Sequence, residues 1–208
     1  MTQKEQLKTD ERYMRMALVE AEAAGAAGEI PIGAVIVCQG RVIARAHNLT
    51  ETLNDVTAHA EMQAITAAAN ELGGKYLTDC TLYVTVEPCP MCAGALGWAQ
   101  IPRIVYGAAD DKRGFHVYAP KALHPRTTIS GGILEEECRQ LMQDFFRSRR
   151  YLSSFDYRTG GEVSVLFTDI LCDGFQTLFS AKWLRYEIAA ASFECGLAVG
   201  FKSVCSQC

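Results

Sequence analysis

The sequence predicts an α/β fold: a three-layer α/β/α sandwich around a mixed central sheet. Two observations carry that expectation. A hairpin of two β-branched runs is followed by segments that alternate strand and helix, which calls for a sheet with antiparallel and parallel neighbours and helices on its faces. The chain also has the material for its own core: 208 residues, 49% apolar or aromatic and 21% charged, close to an average globular composition.

Each element has a local reason. Residues 10–27 place Tyr13, Met14, Ala17, Leu18 and Ala21 on one face, with Thr9 or Asp10 as cap, which predicts the first helix. IPIGAVIVC (30–38) and RVIARAH (41–47) flank Gln39-Gly40 and read as a hairpin. AHAEMQAITAAANEL (58–72) is helical by composition and spacing and stops at Gly73-Gly74. TLYVTVE (81–87) is a strand ended by Pro88, PMCAGALGWAQ (90–100) the next helix, and RIVYG (103–107) a short strand. The stretch Arg103 to Arg126 carries five basic residues, and TTISGGIL then leads into a closing helix at 135–150.

Composition changes near residue 150. All six prolines and 16 of the 20 Lys and Arg precede it, whereas the last 58 residues hold 10 of the 19 aromatics. The expected organisation is a main domain, 1–150, and an appended segment of unknown role, 151–208. Within the latter, 163–172 reads as a strand and 175–191 as a helix, and Cys172, Cys195, Cys205 and Cys208 offer donors for a second metal. The longest nearly uncharged apolar stretch, 188–201, is too short to span a membrane. The polar N-terminus lacks the apolar run of a signal peptide, so the expectation is a cytoplasmic protein without a membrane partner. Nine cysteines then read as thiols and metal ligands, with Cys38, Cys80 and Cys138 as core fillers. A net charge of −4 supplies no global attraction for nucleic acid, so any such partner requires a local basic patch.

Two segments carry chemistry. TAHAE (57–61) and EPCPMC (87–92) bring together one imidazole, His59, and two thiolates, Cys89 and Cys92, a donor set suited to zinc. Cys89 and Cys92 share a face at a helix start, where the dipole favours thiolate and the prolines forfeit no hydrogen bond. Three protein ligands leave a fourth place for water, whose pKa zinc lowers to about 7. Glu61 lies two residues from His59, within reach of that water without binding the metal. It is the candidate proton carrier for hydrolytic deamination of a heterocyclic C–NH2 carbon. The joint H-x-E and P-C-x-x-C pattern is the signature of zinc deaminases. The alternatives are a closed structural zinc with His47 or His116 as fourth ligand, and a zinc-bearing binding protein without turnover.

EIPIGAVIV (29–37), HN (47–48), TAHAEMQAI (57–65), LYVTVEPCPMCAGA (82–95), YGAADDKRG (106–114), HP (124–125), GGILEEEC (131–138) and FFRSRR (145–150) occur in order across residues 10–150. In these stretches the chain resembles the bacterial tRNA-specific adenosine deaminases, which convert the wobble adenosine of an anticodon to inosine. The resemblance implies a cytidine deaminase-like fold, a homodimer and one zinc per subunit, held by His59, Cys89 and Cys92 with Glu61 as proton shuttle. It implies that Asn48 contacts the base, that the Ala60 backbone faces the base pocket, and that Asp110 and Lys112 approach the anticodon stem-loop. Asn48 has an equally good reading as a turn or loop cap. Phe145 and Phe146 read individually as core-facing, and Arg147, Arg149 and Arg150 as a group that holds RNA phosphates. AAANELGGKYLTDC and the GWA after EPCPMC also resemble free-base guanine deaminases, the competing substrate class.

Overall fold

The structure is a computed structural model that describes residues 2–153, and side-chain surroundings through residue 149. The strand and helix expected at 163–172 and 175–191, and the four tail cysteines, lie outside the described residues. Helix α1 spans Gln3–Ala26, β1 Gly33–Cys38, β2 Arg41–His47, α2 Thr50–Leu53, α3 Ala60–Leu72 and β3 Cys80–Val86. Helix α4 spans Pro90–Trp98, β4 Arg103–Ala108, α5 Phe115–Tyr118, β5 Thr128–Ser130 and α6 Glu135–Ser153.

The sheet order is β2-β1-β3-β4-β5. Strand β1 is antiparallel to both β2 and β3, while β3–β4 and β4–β5 are parallel, so the sheet is mixed as predicted. Strand alternation sorts the core into two layers. Ala34, Ile36, Leu82, Val84 and Ile104 meet Ala64 and Ala68 of α3 and Leu96 of α4. Val35, Val37, Tyr83 and Val105 point the other way, onto Tyr13, Met14 and Ala17 of α1 and Cys138 of α6. At the hairpin, Gln39 and Gly40 both take positive φ (50° and 80°), the conformation that a two-residue turn matching the strand twist demands.

Several boundaries differ from expectation. Helix α1 starts seven residues earlier, at a capping box in which Thr2 Oγ1 accepts from the Glu5 amide and the Glu5 carboxylate accepts from the Thr2 amide. Asp10 is inside that helix, buried and turned towards the sheet. Its carboxylate takes both Arg103 guanidinium nitrogens at 2.8 Å, along with Tyr83 Oη and Gln6 Nε2. Arg103 therefore ties β4 to α1 and leaves the supposed basic loop. Strand β1 begins at Gly33 because Pro31 has no N–H and Ile32 N turns back onto the Ile30 carbonyl at 2.7 Å. Helix α3 begins two residues late, with His59 extended as its N-cap. Helices α2 and α5 are single turns without a sequence signal of their own.

Among the cysteines, Cys80 and Cys138 are buried in the core, and Cys38, at the end of β1 beside Gln39 and Arg41, is partly buried and packs against it. Phe145 is half-buried near Gly25, Ala26 and Pro31, whereas Phe146 is 43% exposed. Successive helix residues point about 100° apart, so the two rings cannot both face the core. Among the described residues no helix is long and apolar enough to cross a membrane.

Candidate active site

The site forms where β3 runs out. Glu87, Pro88 and Cys89 follow that strand, Cys89 is the N-cap of α4, and Pro90 occupies the first turn of that helix. His59 is the N-cap of α3 on the same face of the sheet. Two helix starts thus meet beyond the carboxyl end of a strand, where α/β sheets bind ligands.

His59 Nδ1 lies 3.7 Å from Cys89 Sγ and 3.5 Å from Cys92 Sγ. The three donor atoms all fall within 4.8 Å of one another. A tetrahedral zinc with ordinary Zn–S and Zn–N bonds sets its N and S ligands about 3.6 Å apart, so the cluster fits that ion without rearrangement. The three groups also shift one another's protonation. The hydrogen bond from Cys92 leads in pulling Cys89 down to about 4, with His59 adding to it. Cys92 is pushed up by the same bond, and His59 is raised by its bond to Cys89.

Glu61 stands in the first turn of α3 and is 3% exposed. Burial pushes its carboxyl up. Among the described residues its Oε2 is the one buried side-chain polar atom without a hydrogen-bond partner. An unpartnered carboxylate oxygen is costly to keep, and its position beside a three-donor cluster is what a proton carrier requires. Among the described residues no fourth protein ligand closes the cluster. His47 Nδ1 pairs with Glu20 at 3.3 Å, and His116 Nδ1 with Glu87 at 2.6 Å.

The other sequence-predicted residues are placed variously. Asn48 is buried, and its Nδ2 donates to Glu29 Oε2 (3.1 Å) and Thr50 Oγ1 (2.9 Å). Ala60 is fully buried in the first turn of α3. The Asp110 carboxylate caps its own loop by accepting from the Lys112 and Arg113 amides, and Lys112 projects into solvent. Arg147 pairs with Asp144 at 3.3 Å on exposed α6. Arg149 donates to the Gly28 carbonyl and lies over the Phe145 ring, so it docks α6 onto the end of α1. The Arg150 side chain lies outside the described side chains.

Two organising carboxylates carry no assignment from sequence. Glu29 is fully buried and accepts from Asn48, Thr50 and the amides of Glu51 and Thr52, which fixes the turn before His59. Glu87 is buried and accepts from the Asp110 and His116 amides and the His116 ring. The available signal was an acidic residue directly attached to an apolar strand end, where solvent cannot satisfy it.

A mixed sheet covered on both faces, with a His–Cys–Cys cluster beside a buried free carboxylate, defines a zinc deaminase; residues 7–108 match the cytidine and deoxycytidylate deaminase zinc-binding region. Within that class the chain belongs to the tRNA-specific adenosine deaminase family. It is 46% identical over 143 residues to the tRNA-specific adenosine deaminase of Agrobacterium fabrum strain C58, covering 66% of this chain and 94% of that protein. To the Bacillus subtilis strain 168 protein of the same name it is 45% identical over 146 residues, covering 68% and 91%. A solved structure from studies of A-to-I editing by tRNA:A34 deaminases at the wobble position superposes with a TM-score of 0.59 at 46% identity. That match covers 62% of this chain and 98% of that one.

Proposed function

We propose that the protein hydrolytically deaminates adenosine to inosine at the wobble position of a tRNA anticodon. One zinc per subunit is held by His59, Cys89 and Cys92, and Glu61 carries protons. The observation that carries this is the buried, unpartnered Oε2 of Glu61 beside a three-donor cluster. A structural metal closes its shell and requires no free acid nearby.

When bound, zinc supplies a Lewis acid that makes water a nucleophile near neutral pH. Glu61 takes the proton that water loses and delivers it to the purine ring nitrogen as oxygen bonds to C6. It then takes the remaining proton from the new C6 hydroxyl and passes it to the amine, which leaves as ammonia while C6–O becomes the carbonyl, so adenosine and water become inosine and ammonia. The dry setting of Glu61 keeps that proton from bulk water.

Asn48, the Ala60 backbone, Asp110 and Lys112 are the proposed contacts to base and anticodon loop, and Arg147, Arg149 and Arg150 reach the flanking RNA. A single-stranded loop gives up its base cheaply. Exposed Met91 and Trp98 on α4, next to exposed Val117 and Tyr118 on α5, support a homodimer that covers this apolar face. A tRNA substrate and thiolate ligands go with a cytoplasmic location.

The test is inosine formation in an unmodified tRNA carrying wobble adenosine, alongside ammonia release from free guanine, cytidine and adenosine. Inosine in the tRNA alone, lost in Glu61→Ala with zinc retained, is expected. Ammonia from a free base with untouched tRNA would keep the zinc chemistry and sink the substrate assignment.

A further inference from the structure

We infer that Glu87 and His116 form a clamp that positions the 110–118 segment beside the metal ligands, and that His116 thereby sets affinity for the RNA; this rests on the tRNA reading above.

Glu87 belongs to the sheet through its backbone, its amide donating to the Ala108 carbonyl at 2.9 Å. Its carboxylate, with no side-chain exposure, reaches the other way. Oε2 accepts from the Asp110 amide at 3.2 Å and Oε1 from the His116 amide at 3.1 Å. His116 Nδ1 lies within 2.6 and 2.8 Å of the two oxygens. Nδ1 is therefore the ring nitrogen that faces the carboxylate. The Phe115 amide adds a bond to the Pro88 carbonyl at 2.9 Å, next to Cys89. One buried carboxylate thus holds both ends of a loop against the residue preceding the metal ligand.

The loop is fitted to this anchor. A Cβ on Gly114 would lie 2.5 Å from the Glu87 carboxyl carbon and 2.6 Å from the Asp110 carbonyl oxygen, so a glycine is required there. Asp110, held by its amide, turns its own carboxylate back onto the Lys112 and Arg113 amides, so the clamp also sets where those two cations emerge. Of the two clamp members, Glu87 is sealed in and the His116 side chain is half exposed. His116 is a positioning residue on the rim, and its loss frees the segment without opening the core.

The experiment uses full-length, zinc-loaded His116→Ala and His116→Asn, an anticodon stem-loop RNA with wobble adenosine, and amide exchange across 110–118. Asparagine puts its Nδ2 where histidine has Nδ1. With the competent loop only partly populated in His116→Ala, KM rises about five- to tenfold while kcat stays within about twofold. Exchange at residues 110 and 116 quickens, zinc content holds, and His116→Asn restores most of both. Unchanged KM, unchanged exchange, no rescue by asparagine, or loss of kcat together with zinc would each overturn the clamp. If the wild type leaves the RNA untouched, the tRNA reading fails on its own, and unaltered exchange in His116→Ala would separately overturn the clamp.

Discussion

Arg103→Met should destabilise the protein without weakening RNA binding, because Arg103 is committed to Asp10. The Asp10 side chain is 5% exposed and Arg103 23%, and the pair is bidentate at 2.8 Å on both arms. Removing one member of a buried pair costs about 3–5 kcal/mol, since the other is left charged and dry. Here Asp10 keeps Tyr83 Oη and Gln6 Nε2, and Arg103 is partly solvated, so about 2–3 kcal/mol is expected. For a domain of this size that is a fall of roughly 5–10 °C in melting temperature. Burial pushes the Asp10 carboxyl up, but the bonds from Arg103, Gln6 and Tyr83 together outweigh it and leave it lowered. A carboxylate depressed in the folded state stabilises above its unfolded pKa of about 4 and loses that contribution as pH falls through the folded value. The gap between wild type and variant should therefore be full at pH 7 and close below about pH 4. Urea unfolding of the zinc-loaded proteins across pH measures it, and Asp10→Leu/Arg103→Met should recover much of the loss. A loss below about 1 kcal/mol at pH 7, or a flatter salt dependence of RNA binding in Arg103→Met, would refute the reasoning.

Lys112→Ala should weaken binding of anticodon RNA and reduce the slope of log K against log salt by about one, measured by salt titration. Gly107→Ala places a methyl against Cys138 Sγ and 2.7 Å from the Thr85 carbonyl oxygen, where α6 crosses β4. An unfolding titration should show about 2–3 kcal/mol lost. Chelation of zinc should abolish deamination and lower the melting temperature in a manner reversed by added zinc, because the ion binds the folded donor set and not the unfolded chain.

Much of the site was legible because its logic is local. Cys89 and Cys92 are one helical turn apart, their prolines mark a helix start, and Glu61 is two residues from His59. Periodicity likewise specified the alternation that sorts Val35 from Ile36 and Tyr83 from Leu82 onto opposite faces. The capping box of α1 was also in the sequence, obscured by two polar turns that bury little and so show no apolar period.

The rest depends on partners far along the chain. Arg103 looks like one more loop cation until Asp10, 93 residues away, claims it. Helix α2 is too short to pay its own nucleation and exists because Glu29 accepts its first amides. Loop 110–118 similarly takes its place from Glu87, and Phe146 is left outward because Phe145 has taken the inward direction. Residue spacing by itself determined the fold class and put Cys89 with Cys92 and His59 with Glu61, since each of these needs only neighbours within a turn or a pleat, whereas bringing His59 to the two cysteines 30 and 33 residues on took the folded sheet. Which charges stay free to meet RNA, and what holds the loops around the metal, only the tertiary structure decided. A buried carboxylate selects its donors by where the folded chain brings them, whatever their separation in sequence.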